Sequence, residues 1–194
     1  MTTPPRLTRA RYIAFLDSLP VHPSSVFFAS TVGEVSKVKE ILRENPDFDI
    51  NWRNEQEGGC TALVRACERG HAAVVSVLLA HPSVDVNLKD RYGRSPLASA
   101  CHLGDISCAR LLLNDSRVKV NEPDFDGRIA LWLATYGKYL DIIKWWIVSG
   151  REMNLSDAMG DTIRTTWEWE KTEIVILLQR FEKNPNQTCD ETGA

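Results

Sequence analysis

Residues 90–121 read DRYGRSPLASACHLGDISCARLLLNDSRVKVN, and the organisation of the whole chain can be worked out from them. The beginning is typical of a chain reversal that leads into a helix, because Gly93 favours a turn and Ser95 before Pro96 is a suitable N-cap. Apolar residues at helical spacing follow Ser95 and again follow Gly104, a residue type that tolerates the positive φ angle of a tight turn. The segment therefore predicts a unit made of a turn, a helix, a tight turn and a second helix.

The same unit occurs on both sides of this segment at a constant interval. Leu63, Leu97 and Leu131 recur every 34 residues, and the alanine three positions after each leucine keeps the same interval. A fixed period of this length is the signature of an array whose units pack on their neighbours. The three clearest copies are TALVRACERGH (61–71), SPLASACHLGD (95–105) and IALWLATYGKY (129–139).

This repeated pattern resembles the ankyrin-repeat family, whose unit of about 33 residues carries a T-P-L-H-x-A signature followed by G-H and a V-V-x-x-L-L helix. Val74, Val75, Leu78 and Leu79 match that second helix, and the resemblance extends over residues 23–181. It implies an all-α fold, an ankyrin-repeat solenoid of stacked helix-turn-helix units with short β-hairpin-like loops. We expect about five repeats, including atypical terminal ones.

We divide the chain into three parts. Residues 1–22 form an N-terminal extension with an extra helix, because apolar residues between Arg6 and Leu19 have near-helical spacing. Residues 23–182 form the ankyrin-repeat domain, whose first and last units lack the T-P-L signature, as terminal repeats with one neighbour can. Residues 183–194 are polar and aperiodic, and we expect a disordered tail.

Two departures from the repeat predict local differences. Lys138 stands where the two preceding units have glycine, so it must adopt a strained left-handed conformation or the helix must end elsewhere. We expect the helix to end differently. The loop over residues 51–59 is two residues longer than the equivalent loop over residues 87–93, and we expect an extended tip there.

Composition narrows the range of functions. The 194 residues are 43% apolar and 25% charged, as in a globular protein, and the net charge of −3 argues against nucleic acid as a partner. No apolar stretch is long enough to span a membrane, and no catalytic, nucleotide-binding or metal-binding motif is found. We therefore expect no enzyme activity, cofactor, metal or membrane contact, and we expect a monomer.

The five cysteines indicate a reducing environment. Their number is odd and no two form a C-x-x-C pair, which argues against a disulfide framework. Cys67 and Cys101 occupy the same repeat position, where we expect small buried side chains. We expect a cytoplasmic location and leave the nucleus open.

In the ankyrin family, the hairpin tips and the outward end of each first helix line a concave face that binds other proteins. Aromatic and arginine side chains contribute much of the energy at protein interfaces, so we expect Tyr92, Arg94 and Tyr136 to matter for binding and little for folding. The alternative is that the charged tips are merely solvated. By register, the residues predicted to bind a protein partner are Glu57, Glu68, Arg69, Arg91, Tyr92, Arg94, His102, Phe125, Asp126, Arg128, Tyr136, Glu168 and Trp169.

The tryptophans of the fourth unit are interpreted as packing residues. Trp146 aligns with Leu78 and Leu112 and is expected in the core, and Trp145 is expected to be partly buried on the helix side. Trp132 is expected to compensate in size for the small residues 98–100 of the neighbouring unit.

Asn87 and Asn121 each follow a leucine by eight residues, which resembles the pattern on which ankyrin repeats are hydroxylated by an asparaginyl hydroxylase. The stronger alternative is structural, since an asparagine side chain here can hydrogen-bond to local backbone and hold the hairpin. Both interpretations can hold together.

Three classes of function stay open. The preferred one is a non-enzymatic protein–protein interaction module that binds its partner through the concave face. The second is an adaptor or substrate-recognition subunit of a larger enzyme complex. The third, more remote, is an enzyme or small-molecule sensor whose site no motif reveals.

Overall fold

The computed structural model describes residues 22–45 and 47–154, where paired helices alternate with loops as predicted. Within these ranges the only β-type pairing is an isolated bridge between Asn54 and Cys60, so the fold is all-α. A short 3₁₀ turn, Glu55–Glu57, lies in the long loop and forms the predicted extended tip. The helices are α1 (Pro23–Val32), α2 (Val35–Glu44), α3 (Ala62–Glu68), α4 (Ala72–Leu79), α5 (Pro96–Leu103), α6 (Ile106–Asn114), α7 (Ala130–Tyr136) and α8 (Leu140–Ser149).

These helices form four pairs, each of which is one repeat. The predicted N-terminal helix, the fifth repeat and the disordered tail lie outside the described residues, so the expected count of about five repeats stays a prediction.

The helices pack in two layers. The first helices, α1, α3, α5 and α7, each contact the next member of their series, and the second helices α2, α4, α6 and α8 do the same. Each first helix also packs on the second helix of its own unit. The main helix contacts therefore join only neighbouring units, as in a solenoid.

One continuous apolar core runs between the layers. Leu63, Leu97 and Leu131 are buried in it, and the alanines three positions later have no exposed surface, so the first helices can approach closely. Cys67 and Cys101 are fully buried, as predicted. Trp146 is also fully buried, whereas Trp132 and Trp145 are partly buried against the same core, which confirms their interpretation as packing residues.

Hydroxyl side chains start two of the first helices. The Ser95 Oγ accepts a hydrogen bond from the Ala98 N–H at 3.2 Å, and Thr61 Oγ1 does the same for Val64 at 3.3 Å. Each bond satisfies one of the N–H groups that a helix leaves unpaired at its N-terminus. The predicted cap at Ser95 is therefore confirmed, with Pro96 at the first helical position.

The tight turn after each first helix has one geometry in successive units. The N–H five residues after the buried alanine donates to the alanine carbonyl, from Asp105 to Ala100 at 3.0 Å and from Tyr139 to Ala134 at 3.0 Å. The residue immediately before this N–H donor has a positive φ angle, 74° at Gly104 and 60° at Lys138.

The expectation that the fourth unit ends its first helix differently is wrong. Helix α7 ends at Tyr136, the position equivalent to the end of α3, and Lys138 adopts the left-handed conformation instead. The fourth unit thereby keeps the turn of the other units, with the hydrogen bond from the Tyr139 N–H to the Ala134 carbonyl. Glycine is needed at 137 for a separate reason, because a Cβ atom there would be 2.2 Å from the Tyr139 ring.

Asparagine side chains join successive hairpins. Asn87 Nδ2 donates to the Arg117 carbonyl at 2.9 Å, and its Oδ1 accepts from the Lys119 N–H at 2.8 Å. Asn51 makes the equivalent pair of bonds one unit earlier, to the Ser83 carbonyl and from the Asp85 N–H. The structural role predicted for Asn87 is confirmed in that its side chain bonds to hairpin backbone, but the prediction that this backbone is local is wrong, because it belongs to the next unit.

Candidate protein-binding surface

The predicted surface is built from two kinds of element that the fold brings side by side. We use the name concave face for the hairpin tips (residues 54–60, 90–94 and 124–128) together with the outward side of α3, α5 and α7. Three grooves in this face are lined by residues of both kinds, and no residue of α2, α4, α6 or α8 lines any of the three. Tips and first helices therefore share one surface, as the repeat register predicts.

A buried aspartate organises the second and third tips. Asp90 Oδ1 accepts hydrogen bonds from the N–H groups of Tyr92 and Arg94 at 2.8 and 2.9 Å, and Oδ2 accepts from the Arg94 Nε at 3.1 Å. Asp124 repeats this arrangement with Asp126 and Arg128. The carboxylates have no exposed side-chain surface, so the arginines neutralise buried charges.

This arrangement argues against the expectation that Arg94 matters little for folding. Arg94 also approaches Glu68 at 3.7 Å, so its guanidinium joins the tip to helix α3. The available sequence signal is the D-x-x-G-R pattern shared by residues 90–94 and 124–128. On its own this pattern indicates only a turn, because a sequence does not show that the aspartate is buried.

A further arginine on this face was not among the predicted residues. Arg65 pairs with Glu57 and with Glu68, each at 2.8 Å, and its side chain is largely buried. It thereby connects the long first tip to α3. The three-residue spacing of Arg65 and Glu68 on one helix face was the available signal.

The tips also bind one another. The Arg91 N–H donates to the Gly58 carbonyl at 2.9 Å, and the Phe125 N–H donates to the Tyr92 carbonyl at 3.0 Å. Backbone hydrogen bonds between consecutive tips fix their spacing, so the side chains they present are held on a rigid frame.

Three predicted aromatic residues project from the concave face, two of them from the tips and Tyr136 from the end of α7. Tyr92, Phe125 and Tyr136 are 52%, 78% and 61% exposed. The Arg94 guanidinium lies 4.8 Å from the Tyr92 ring centroid, and the Trp132 ring stacks on Tyr136 at 4.9 Å. These contacts orient the rings and leave much of their area open.

The remaining predicted residues differ in their surroundings. Glu57, Arg69, Arg91, His102 and Asp126 are exposed, while Glu68 and Arg128 are half-buried in the ion pairs given above. Partial burial lowers the pKa of His102, and the nearby guanidinium groups of Arg94 and Arg128 lower it further. Glu168 and Trp169 lie outside the described residues.

One cluster on this face has ligand types suited to a metal ion. Cys60, Glu68 and Asp90 bring their side-chain ligand atoms within 4.8 Å of one another. However, Asp90 is saturated by the donors of its own tip, and Glu68 pairs with two arginines. Burial raises the pKa of the Cys60 thiol to about 11, which opposes the thiolate a metal requires. Asp90 and Glu68 are instead joined through the Arg94 guanidinium, which connects the second tip to α3.

Comparison with known proteins agrees with this architecture. A family model described as "Ankyrin repeats (3 copies)" matches residues 26–124 and 82–157, which together cover more than half of the chain. The chain belongs to the ankyrin-repeat family. Ankyrin repeats are protein-interaction modules. No helix within the described part of this ankyrin-repeat protein is long and apolar enough to cross a membrane.

Individual relatives share only part of their length with it. A segment of 108 residues (55% of this chain) is 38% identical to a probable E3 ubiquitin-protein ligase, XBOS33, from Oryza sativa subsp. japonica. A 64-residue segment, 33% of the chain, is 34% identical to the SMC5-SMC6 complex localization factor protein 1 of Mus musculus. The putative ankyrin repeat protein YahD of Escherichia coli K12 is 35% identical over 72 residues, 37% of the chain. The matched segments span 19%, 6% and 34% of these relatives.

Proposed function

We propose that this ankyrin-repeat protein is a non-enzymatic module that binds a protein partner through its concave face. The supporting observation is the set of exposed rings on this face. Tyr92 and Phe125 lie on tips whose backbones are hydrogen-bonded to one another, and Tyr136 lies at the end of α7. Rings on a rigid frame bury a large area while losing little conformational entropy.

The charged residues of the face are compatible with a binding role. Arg65, Arg94 and Arg128 are engaged in ion pairs that maintain the shape of the surface. His102 lies among guanidinium groups that lower its pKa. A side chain of this kind is neutral near pH 7 and can accept or donate a hydrogen bond to a partner.

An adaptor role is the second candidate, and the relatives favour it. Two similar proteins are named as ubiquitin ligases, the one from rice and E3 ubiquitin-protein ligase KEG from Arabidopsis thaliana, and the shared segment is 19% and 6% of their lengths. Repeats of this type therefore occur beside much longer stretches in proteins named as enzymes. In an adaptor role, this chain would bind a substrate protein and bring it to an enzyme carried by another subunit of a complex.

The test is a capture experiment with three baits, namely wild type, a concave-face variant and a control variant. Full-length wild type and a Tyr92→Ala, Tyr136→Ala double variant are immobilised, and the bound proteins from a cell lysate are identified and then titrated individually in purified form. A partner that binds wild type and a Lys39→Ala control but not the double variant supports the proposal. Lys39 is exposed on α2, outside the concave face. Partners that bind all three baits equally contradict it, and an enzyme complex that co-purifies reproducibly favours the adaptor role.

A further inference from the structure

Two arginines on the concave face have no acidic partner among the residues that the structure describes. Arg69 directly follows α3, and Arg91 lies at the tip of the second hairpin; both are exposed. The Arg91 guanidinium lies against the Tyr92 ring, 5.3 Å from its centroid. Arg65, Arg94 and Arg128, by contrast, are paired with carboxylates.

Arg69 and Arg91 line two grooves that share a wall. The groove beside Arg69 has a volume of about 300 Å³ and also includes Ser99, His102 and Leu103. The groove beside Arg91 has a volume of about 340 Å³ and includes Tyr92. Both contain Arg65 and Glu68, so one extended segment can cross the shared wall and meet both arginines.

The shared wall offers little attraction to a basic ligand. Glu68 directs one carboxylate oxygen to Arg65 and the other to Arg94, so its charge is neutralised within the protein. At the tips, Asp90 and Asp124 are buried and offset Arg94 and Arg128. Glu57 also lines the groove beside Arg91, where it pairs with Arg65. Taken together, the two grooves are lined by four arginines and two glutamates, so the arginines remain in excess even when the buried Asp90 is counted.

We propose that the concave face takes an extended acidic peptide segment of its protein partner. Aspartate or glutamate side chains of that segment pair with Arg69 and Arg91, because a guanidinium group binds a carboxylate through two parallel hydrogen bonds. An apolar side chain between them packs on Tyr92 or on Leu103, which are 52% and 50% exposed. This inference rests on the proposed function and specifies the chemistry of the partner.

A displayed library of random short peptides tests this assignment, because the selected peptides stand in for the binding segment of the partner. Peptides are selected on the full-length protein and synthesised. They are then titrated against wild type, Arg69→Glu and Arg91→Glu, with Lys39→Glu on α2, outside the concave face, as the control charge reversal. We expect selected peptides to be enriched in aspartate and glutamate. Each arginine reversal should weaken binding about tenfold or more, the Lys39→Glu change should have no effect, and affinity should fall as salt is raised. Circular dichroism checks that the variants are folded.

The outcomes separate this inference from the proposed function. Peptides that lose binding with Tyr92→Ala and Tyr136→Ala but carry no acidic residue, or tolerate both arginine reversals, overturn the acidic assignment and leave the concave face as the binding surface. A library that yields no peptide dependent on any concave-face residue contradicts both. A single-stranded oligonucleotide that displaces the peptides at lower concentration would assign the arginines to nucleic acid and overturn the inference.

Discussion

The Arg94 Nε atom donates to Oδ2 of Asp90 at 3.1 Å, and the carboxylate that it neutralises has no exposed side-chain surface. The other oxygen of that carboxylate accepts the N–H groups that shape the tip around Tyr92. Arg94 thus holds the tip that presents an exposed ring, and Arg128 does the same at the next tip with Asp124. Arg94 and Arg128, which the sequence suggests as binding residues, thus also hold in place the tips that carry the exposed rings.

Replacing Arg94 by Ala should therefore destabilise the fold. Removing the guanidinium leaves the Asp90 carboxylate buried with backbone donors alone, and we expect the free energy of unfolding to fall by about 2–3 kcal/mol. Urea-induced unfolding, followed by circular dichroism, measures this change.

Arg91→Ala is the matched control, because Arg91 lies three positions earlier on the same tip and has no carboxylate partner among the described residues. Its effect on unfolding should stay within about 0.5 kcal/mol. An Asp90→Ala, Arg94→Ala double variant should lose less stability than the sum of the single changes, since the two side chains interact. Equal effects of Arg94→Ala and Arg91→Ala would show that the ion pair does not stabilise the tip.

The sequence predicted those features that the repeat encodes locally. The 34-residue register located the helices, the Ser95 cap, the buried cysteines and the exposed rings, because each follows from which face of a helix or tip a residue occupies. It did not reveal the burial of Asp90 or the role of Arg65. Both depend on contacts between a tip and a helix, and such contacts have no periodic signature.

Lys138→Gly should stabilise the protein. Lys138 has a φ angle of 60°, which glycine adopts freely, and we expect the free energy of unfolding to rise by about 1 kcal/mol. The comparison variant is Gly137→Ala, whose added Cβ would meet the Tyr139 ring and should lower stability. Thermal or urea unfolding of both variants gives the result. A stability loss in Lys138→Gly would mean that contacts of the lysine side chain outweigh the backbone strain.

Asn87 and Asn121 remain predicted sites of hydroxylation. The side-chain amide of Asn87 is engaged in two hydrogen bonds to the next unit, but an oxygen added at its Cβ would leave the amide intact. We therefore expect the modification to be compatible with the hairpin. After incubation with an asparaginyl hydroxylase, intact-mass measurement should show the addition of one oxygen atom for each site modified. Asn87→Ala and Asn121→Ala identify which site reacts, and an unchanged wild-type mass would refute the prediction.

Alkaline pH should destabilise the fold through Cys60. Burial raises the pKa of this thiol from 9.0 to about 11, so the folded state holds the proton more tightly than the unfolded state does. The resulting stabilisation is fully present below pH 9.0 and is lost as the pH rises towards 11. Unfolding free energies measured across this range should fall less steeply in Cys60→Ala than in wild type. Parallel pH profiles for the two proteins would rule out this contribution.

The exposed rings provide the direct test of the concave face. Tyr92→Ala and Tyr136→Ala should each weaken a true partner by about 1–3 kcal/mol, because aromatic residues near the centre of an interface dominate its energy. Neither ring is buried, so thermal midpoints should change little. Lys39→Ala, on the second helix α2, is the control outside the concave face. Arg110 on α6 is a less suitable control position, because its guanidinium lies 4.0 Å from the Trp145 ring centroid and its removal would disturb packing. Titration of these variants against one purified partner measures the loss of affinity, and thermal melts of the same variants show whether the fold has also lost stability. If Lys39→Ala abolished binding while both tyrosine variants bound normally, the interface would have to lie on the second helices.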